Sequence, residues 1–192
     1  KGQILPYYFE KKLLPLQNGI RIEWMLKNIS VHSFPYLWST HPLFTLNSDI
    51  IVRVPPGVKV LSFEAPSRIS TTFPINSETL QFRKTANKSA LKYFHVSQIL
   101  STDLPIYLEH PSKGIRISIV FDINFLPYLG IWINTGGWEN QYTVALEPTT
   151  SYPDSLIEAQ MNTSARILAP HGIESWWLDV YFLDSREKIE HG

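Results

Sequence analysis

Short apolar runs that alternate with polar residues, separated at regular intervals by proline and glycine, constrain the fold more than any other feature of this sequence. The 14 Pro and nine Gly lie between segments rich in Ile, Val, Tyr, Phe and Trp. Residues 19–29 show the alternation well, because Ile20, Ile22, Trp24 and Leu26 would share one face of a strand. Such runs between turns are typical of an all-β sandwich or barrel.

The same pattern predicts further strands, at 50–54, 58–63, 115–123, 128–134, 142–147, 165–169 and 174–184. Pro55-Pro56-Gly57 is a turn sequence, so the first two of these strands are predicted to form a hairpin. The run 174–184 is apolar on both faces, which predicts a central strand covered on both sides. Residues 67–103 lack a clear period, and we expect loops, short strands or one brief helical turn there.

Length and charge narrow the class of protein. The 192 residues suffice for one domain with a sizeable core, so we predict a single all-β domain over 1–192. Lys plus Arg and Asp plus Glu both number 17, and this balance gives no reason to expect a nucleic acid or an anionic membrane as partner. The start, KGQILPYYFEKKLLPLQ, has no signal-peptide core, and we expect a cytoplasmic protein.

Several kinds of chemistry lack their sequence motifs. The six His have neither HxH nor HxxxH spacing and there is no Cys, so we predict no metal site. Gly136-Gly137 leads into a predicted strand rather than a helix, unlike a phosphate-binding loop. A G-x-S-x-G nucleophile elbow is also missing from the sequence. We therefore expect no cofactor.

Two titratable residues are candidates for acid–base chemistry. His41 precedes Pro42 among aromatic residues, and its imidazole is either a proton donor or a partly buried side chain bonded to backbone. Glu147 ends an apolar strand, where burial would raise its pKa and suit it to act as a base. The alternative for Glu147 is a structural role, as a turn cap or in an ion pair with Arg53, Arg68 or Arg116.

Aromatic side chains near these two residues suggest a sugar ligand, since the C–H faces of sugar rings pack on indole and phenol. Trp38 and Trp138 lie in loop contexts and are the better candidates for a ligand surface, with Asn134 as a partner for sugar hydroxyls. Trp132 and Tyr142 alternate within predicted strands and are expected in the core.

Four segments in order, WSTHPLF, LGIWINTGGW, VALEPTTSYPDSL and APHGIESWWLDVYF, resemble the second half of the aldose 1-epimerase (galactose mutarotase-like) family, over about residues 15–184. The resemblance implies a largely antiparallel β-supersandwich. It also implies ring opening without a cofactor, in which Glu147 takes the proton of the anomeric hydroxyl and His41 gives one to the ring oxygen. Asp154 falls in the family's Pro-Asp position, although on sequence grounds alone it is a turn or cap residue.

The chain departs from the family in its length. Family members have a longer first half that supplies further strands, an Arg and another His near the catalytic pair. Arg53, Arg68 and Arg116 are substitutes for that Arg, and we include Arg116 in the predicted site. The chain is then either a shortened relative or the C-terminal portion of a longer domain, incomplete at its N-terminal side. In the second case the missing half or another copy would cover open sheet edges.

Three functions follow as hypotheses. The first is an enzyme that interconverts the anomers of an aldose or an aldose derivative. The second is a carbohydrate-binding β-sandwich without catalysis. The third is an interaction domain whose apolar edge pairs with another chain.

Overall fold

The strands of this chain form two antiparallel sheets whose apolar faces meet in one core. The structure, a computed structural model, describes residues 5–46, 50–53, 59–64, 70–74, 79–81, 88–95 and 106–186. In chain order the strands are β1 (Tyr7–Leu16), β2 (Gly19–Asn28), β3 (Phe34–Tyr36), β4 (Leu43–Thr45), β5 (Ile51–Arg53), β6 (Lys59–Glu64), β7 (Ser70–Pro74), β8 (Thr79–Gln81), β9 (Ala90–His95), β10 (Tyr107–His110), β11 (Ile115–Phe121), β12 (Tyr128–Thr135), β13 (Tyr142–Thr149), β14 (Arg166–Leu168) and β15 (Ile173–Asp184).

The strand order defines the two layers. The seven-stranded sheet has the order β1-β2-β15-β11-β10-β5-β8, and the six-stranded sheet has the order β4-β13-β12-β9-β6-β7. Strands β14 and β3 form a separate pair. Helical structure in the described residues is limited to α1 (Leu156–Met161) and a 3-10 turn at Pro111–Lys113. The predicted all-β class is confirmed.

Most of the predicted strands are present with ends shifted by one or two residues, but the predicted hairpin is wrong. Strand β5 pairs with β8 and β10 in the seven-stranded sheet, whereas β6 pairs with β7 and β9 in the six-stranded sheet. The predicted turn, Pro55-Pro56-Gly57, lies outside the described residues. A short apolar run contains no information about which sheet it joins, because both sheets need apolar faces of the same period.

Strand β15 agrees with its prediction over most of one face, although Phe182 at the far end of that face is 54% exposed. Trp176, Leu178 and Val180 are buried, at 2%, 1% and 6% exposure. On the other face Trp177 and Tyr181 are only half-buried, and the Arg21 guanidinium lies over the Trp177 ring at 4.5 Å. The strand is central, between β2 and β11, but its outer face is covered by a charged side chain rather than by a third layer.

Strands β12 and β13 divide their side chains between the core and the opposite face of the six-stranded sheet. The members on the core side are buried at 1% exposure or less, and they are Leu129, Ile131, Ile133, Val144 and Leu146. Alternation therefore directs Gly130, Trp132 and Glu147 to the opposite face. This division fixes the place of the candidate site, because the core side chains hold the two strands against the other sheet.

Strand β1 lies at the edge of the seven-stranded sheet and carries large apolar side chains that are exposed. Leu13 is 58% exposed, and Phe9 and Leu14 are also exposed. Cover for this edge by another chain or by a further N-terminal segment stays a prediction, as does the single-domain boundary. In the described part of the chain, the structure contains no helix with the length and apolar character needed to cross a membrane.

The core position of β12 gives a stability prediction. Ile131 is 0% exposed, so Ile131→Ala should lower the free energy of unfolding by about 2–5 kcal/mol through lost burial and a residual cavity. Urea unfolding followed by fluorescence measures this loss. The matched control is Ile157→Ala on α1, at a side chain that is 72% exposed, where little change is expected. Equal losses in the two variants would contradict the burial assigned to Ile131.

Candidate functional site

A cavity of about 470 Å³ lies over the face of the six-stranded sheet that is turned away from the core. The register of β12 and β13 places Gly130 opposite Glu147 and Asn134 opposite Thr143 on this face. The side chains of its lining that bear on chemistry are His41, Lys92, Trp132, Trp138, Glu147 and Asp154. Both predicted acid–base residues therefore lie in one cavity.

His41 reaches the cavity because the segment before it is bonded to the end of β13. The Trp38 carbonyl accepts a hydrogen bond from the Thr150 amide at 2.9 Å, and the Thr40 amide donates to the Pro148 carbonyl at 3.2 Å. These bonds extend β13 pairing past its regular partner β4 and hold residues 38–40 beside the strand end. His41 follows directly, next to Glu147, and its side chain is 48% exposed.

Glu147 is a nearly dry carboxylate whose two oxygens differ in their surroundings. The side chain is 1% exposed, and its Oε2 accepts a hydrogen bond from Lys92 Nζ. Oε1 lies 3.1 Å from His41 Nε2, within ion-pair distance but not aligned as a hydrogen bond. Among the described residues Oε1 has no hydrogen-bond partner. One oxygen is thus held by Lys92, and the other is buried without a hydrogen bond.

The surroundings shift the pKa values of the two predicted acid–base groups in opposite directions. Burial raises the pKa of Glu147 to about 7, although the Lys92 charge and hydrogen bond oppose this rise. Burial also lowers the pKa of His41, and the positive charge of Lys92 lowers it further. Because the pKa of Glu147 is raised and that of His41 is lowered, a single proton on this pair is held by Glu147 in preference to His41, whose Nε2 lies 3.1 Å from Oε1.

Lys92 and its second partner complete the charged part of the site. Lys92 lies on β9 with 8% exposure, and its Nζ is 3.1 Å from Asp154 Oδ2. Asp154 is in the loop after β13, and its side chain is 52% exposed. Sequence reasoning missed Lys92, because it falls in the stretch without a clear period. Three arginines were the alternative ion-pair partners expected for Glu147. Arg53 and Arg116 lie on the other sheet, and Arg68 is outside the described residues.

Trp138 and Asn134 both lie at the cavity, in different roles. Trp138 is 58% exposed at the rim. Asn134 is buried, and its amide is used by the turn that follows β12: Nδ2 donates to the Trp138 carbonyl at 2.9 Å, and Oδ1 accepts from the Trp138 amide at 3.0 Å. Asn134 therefore holds Trp138 in place instead of presenting its amide to a ligand.

The structure places Trp38 and Arg116 away from the cavity. The Trp38 ring packs edge-on against Trp24 at 4.6 Å and against Trp176 at 5.1 Å, within the core. Arg116 is on β11 of the other sheet, where it contacts the Glu109 carboxylate at 3.4 Å and the Ser185 carbonyl at 3.1 Å. We leave both residues out of the site proposed below.

Trp132 was predicted in the core, but the structure places it in the lining of the cavity. Its ring lies 6.3 Å from that of His41. Alternation along β12 was recognised correctly, but the face turned toward the other sheet carries Ile131 and Ile133 instead. Tyr142 packs against the core, as expected. Among the described residues, no group of three or more His, Asp or Glu is arranged to hold a metal ion.

Several solved structures with the same architecture are named as galactose mutarotase-like or galactose mutarotase related proteins. The chain superposes with a TM-score of 0.65 on a galactose mutarotase-like protein from Lactobacillus casei, at 18% identity over 93% of this chain and 64% of that one. A galactose mutarotase related enzyme from Lactobacillus acidophilus gives 0.67, at 15% identity over 98% and 66%. A protein from Synechocystis gives 0.69, at 15% identity over 94% and 56%.

These likenesses show the fold, which is the galactose mutarotase-like β-supersandwich predicted from the sequence. The chain spans only about half to two thirds of the length of these neighbours. No family model matches the sequence. No curated protein matches it either.

The raised pKa of Glu147 predicts how stability depends on pH. Between its ordinary value of 4.5 and about 7, the folded protein binds the Glu147 proton more tightly than the unfolded chain, so unfolding free energy falls as pH rises through this window. The loss is on the order of 3 kcal/mol. Glu147→Gln lacks this titration, and its melting temperature relative to wild type should be higher at pH 8 than at pH 4. Thermal melts across pH measure the difference, and a constant offset would contradict it.

Proposed function

We propose that this chain is an aldose 1-epimerase-like enzyme that interconverts the anomers of a free aldose or aldose derivative, with Glu147 as base and His41 as acid. The observation that carries the proposal is the Glu147 Oε1 atom, buried without a hydrogen bond and 3.1 Å from His41 Nε2 in a cavity of sugar size. The fold neighbours named as galactose mutarotase-like support a carbohydrate ligand.

The reaction needs two proton transfers, at the two oxygen atoms that are bonded to the same carbon. In a pyranose, C1 carries both the anomeric hydroxyl and the ring oxygen. Glu147 Oε1 takes the hydroxyl proton, the bond from C1 to the ring oxygen breaks, and His41 gives its proton to that oxygen. Rotation about C1–C2 exposes the other face of the aldehyde, and the reverse transfers close the ring as the other anomer. Each group then holds the proton state with which it began.

The described lining suits such a ligand. Trp132 and the exposed Trp138 both line the cavity, and the C–H face of a sugar ring packs on indole rings. The contact between His41 and Glu147 has to open to admit the anomeric centre, and the exposure of the His41 side chain leaves room for its ring to turn. Asp154, also exposed at the rim, can accept a hydrogen bond from a sugar hydroxyl.

The first test is anomer exchange of glucose and galactose, followed by NMR or polarimetry. Wild type should accelerate exchange, and Glu147→Gln should lose at least about 100-fold of that rate, since an uncharged amide cannot accept the proton. The control is Glu23→Gln, on β2 of the other sheet, which should keep the wild-type rate. Sugar binding, measured by Trp fluorescence, should survive in Glu147→Gln.

Other outcomes of this experiment distinguish the remaining hypotheses. A fluorescence change on sugar addition without faster exchange by wild type overturns the catalytic proposal and favours the carbohydrate-binding module. Absence of both overturns the carbohydrate ligand. Equal rates for wild type and Glu147→Gln remove Glu147 from the mechanism.

The pH dependence of kcat/KM is a second test. Catalysis requires one proton on the pair, held by His41 while Glu147 is ionised, which is the less populated of the two one-proton forms. Activity should fall when the pair gains a second proton or loses its only one. The raised pKa of Glu147 places the alkaline limb near pH 7, and the lowered pKa of His41 places the acid limb below 6.5. A narrow bell-shaped profile is therefore expected. Activity that keeps rising above pH 8 would contradict the assignment.

A further inference from the structure

Lys92 meets Glu147 across an intervening strand. Sheet order places β12 between β9, which carries Lys92, and β13, which carries Glu147. Their direct neighbours on β12 are different residues, since Lys92 is opposite Trp132 and Glu147 is opposite Gly130. The ammonium therefore reaches the carboxylate diagonally, with its four-carbon stem lying over β12.

Gly130 makes this crossing possible. A Cβ atom at this position would lie 3.3 Å from Glu147 Oε2 and 3.3 Å from Lys92 Cε, tighter than ordinary van der Waals contact. A glycine inside a strand weakens it, and its usual reason is the close approach of other groups. Here the groups that approach are the Phe94 ring, whose Cε1 would lie 3.2 Å from that Cβ, and the two members of the buried ion pair. The sequence of β12 therefore fits the passage of Lys92.

The surroundings of Lys92 commit its ammonium to two carboxylates. Lys92 is 8% exposed, and its Nζ lies within ion-pair distance of Glu147 Oε2 and 3.1 Å from Asp154 Oδ2. The ammonium also lies 5.1 Å from the centre of the Phe94 ring. A lysine held in this way fixes the carboxylate that it binds, because rotation of Glu147 would leave a buried cation without one of its partners.

We propose that Lys92 is a positioning residue for Glu147: it binds Oε2, directs Oε1 to the sugar and favours the ionised form of the carboxylate. The proposal rests on the base role given to Glu147 above. Lys92 itself does not touch the reacting atoms. Its effect is exerted through the orientation and the charge state of Glu147.

The titratable and charged groups that face Glu147 in the described structure come from β9, from the loop after β13 and from the loop before β4. Lys92 from β9 lowers the pKa of Glu147, and Asp154 from the loop after β13 raises it. His41 from the loop before β4 lies beside Oε1. Strand β12 contributes Gly130 at this point, which carries no charge. Removal of the Lys92 charge and removal of the Asp154 charge should therefore shift the pKa of Glu147 in opposite directions.

The experiment follows the Glu147 carboxyl directly by ¹³C NMR between pH 4 and pH 10, with its signal assigned by comparison with Glu147→Gln. Lys92→Met keeps the length of the stem and removes the charge, and the Glu147 midpoint should rise by about one to three pH units. Asp154→Asn should lower the midpoint. An unchanged or lower midpoint in a folded Lys92→Met variant overturns the proposal.

Two further variants serve as controls. Lys27→Met removes an exposed lysine from β2 of the other sheet, and the Glu147 midpoint should not move. Gly130→Ala keeps every charge and places a methyl group against Lys92 Cε and Glu147 Oε2, so the midpoint should rise by less than in Lys92→Met. A shift in Lys27→Met as large as that in Lys92→Met would overturn a specific role for Lys92.

The titration is independent of catalysis, so failure of the proposed function is separable from failure of this inference. If wild type does not exchange anomers, the NMR midpoints still decide whether Lys92 sets the charge state of Glu147. If it does, the alkaline limb of kcat/KM in Lys92→Met should move upward with the NMR midpoint. Should Lys92→Met not fold, the wild-type ¹⁵N signal of the Lys92 ammonium should shift as Glu147 titrates, and a flat signal overturns the proposal.

Discussion

Glu147 places a carboxylate where almost no water reaches it, and most features of the site follow from the free-energy cost of burying that charge. A buried carboxylate without partners is strongly unfavourable. Lys92 offsets part of the cost, yet burial still raises the pKa of Glu147 to about 7. The carboxylate is therefore poised between its two protonation states at neutral pH, which a structural ion pair does not require and a proton-transferring group does.

Such a group needs a rigid support, and strands β12 and β13 supply it through their alternation. Ile131 and Leu146 are 0% exposed and anchor the two strands in the core, while Trp132 and Glu147 leave from the opposite face. A strand that is well packed on one side holds the side chains of its other side within narrow limits. The interior thus stabilises the geometry of the site without contributing atoms to it.

Sequence reasoning reached the parts of the site that local patterns encode. His41 and Glu147 were found because each falls in a short motif beside an apolar strand, and the all-β class followed from alternation. Lys92 was missed because it enters the site only through the pairing of β9 with β12, which no local period specifies. The same limit explains the exchanged roles of Trp38 and Trp132, since a loop context does not reveal that Trp24 and Trp176 enclose the Trp38 ring.

The residues that surround the Glu147 carboxylate come from four separate segments of this chain. His41 precedes β4, Lys92 lies on β9, Gly130 opens the passage on β12, and Asp154 follows β13. Burial has the largest effect on the pKa of Glu147, and the Lys92 and Asp154 charges modify it in opposite directions. The fold therefore sets the pKa of Glu147 by bringing these segments together, because no single segment supplies both its burial and its charged neighbours.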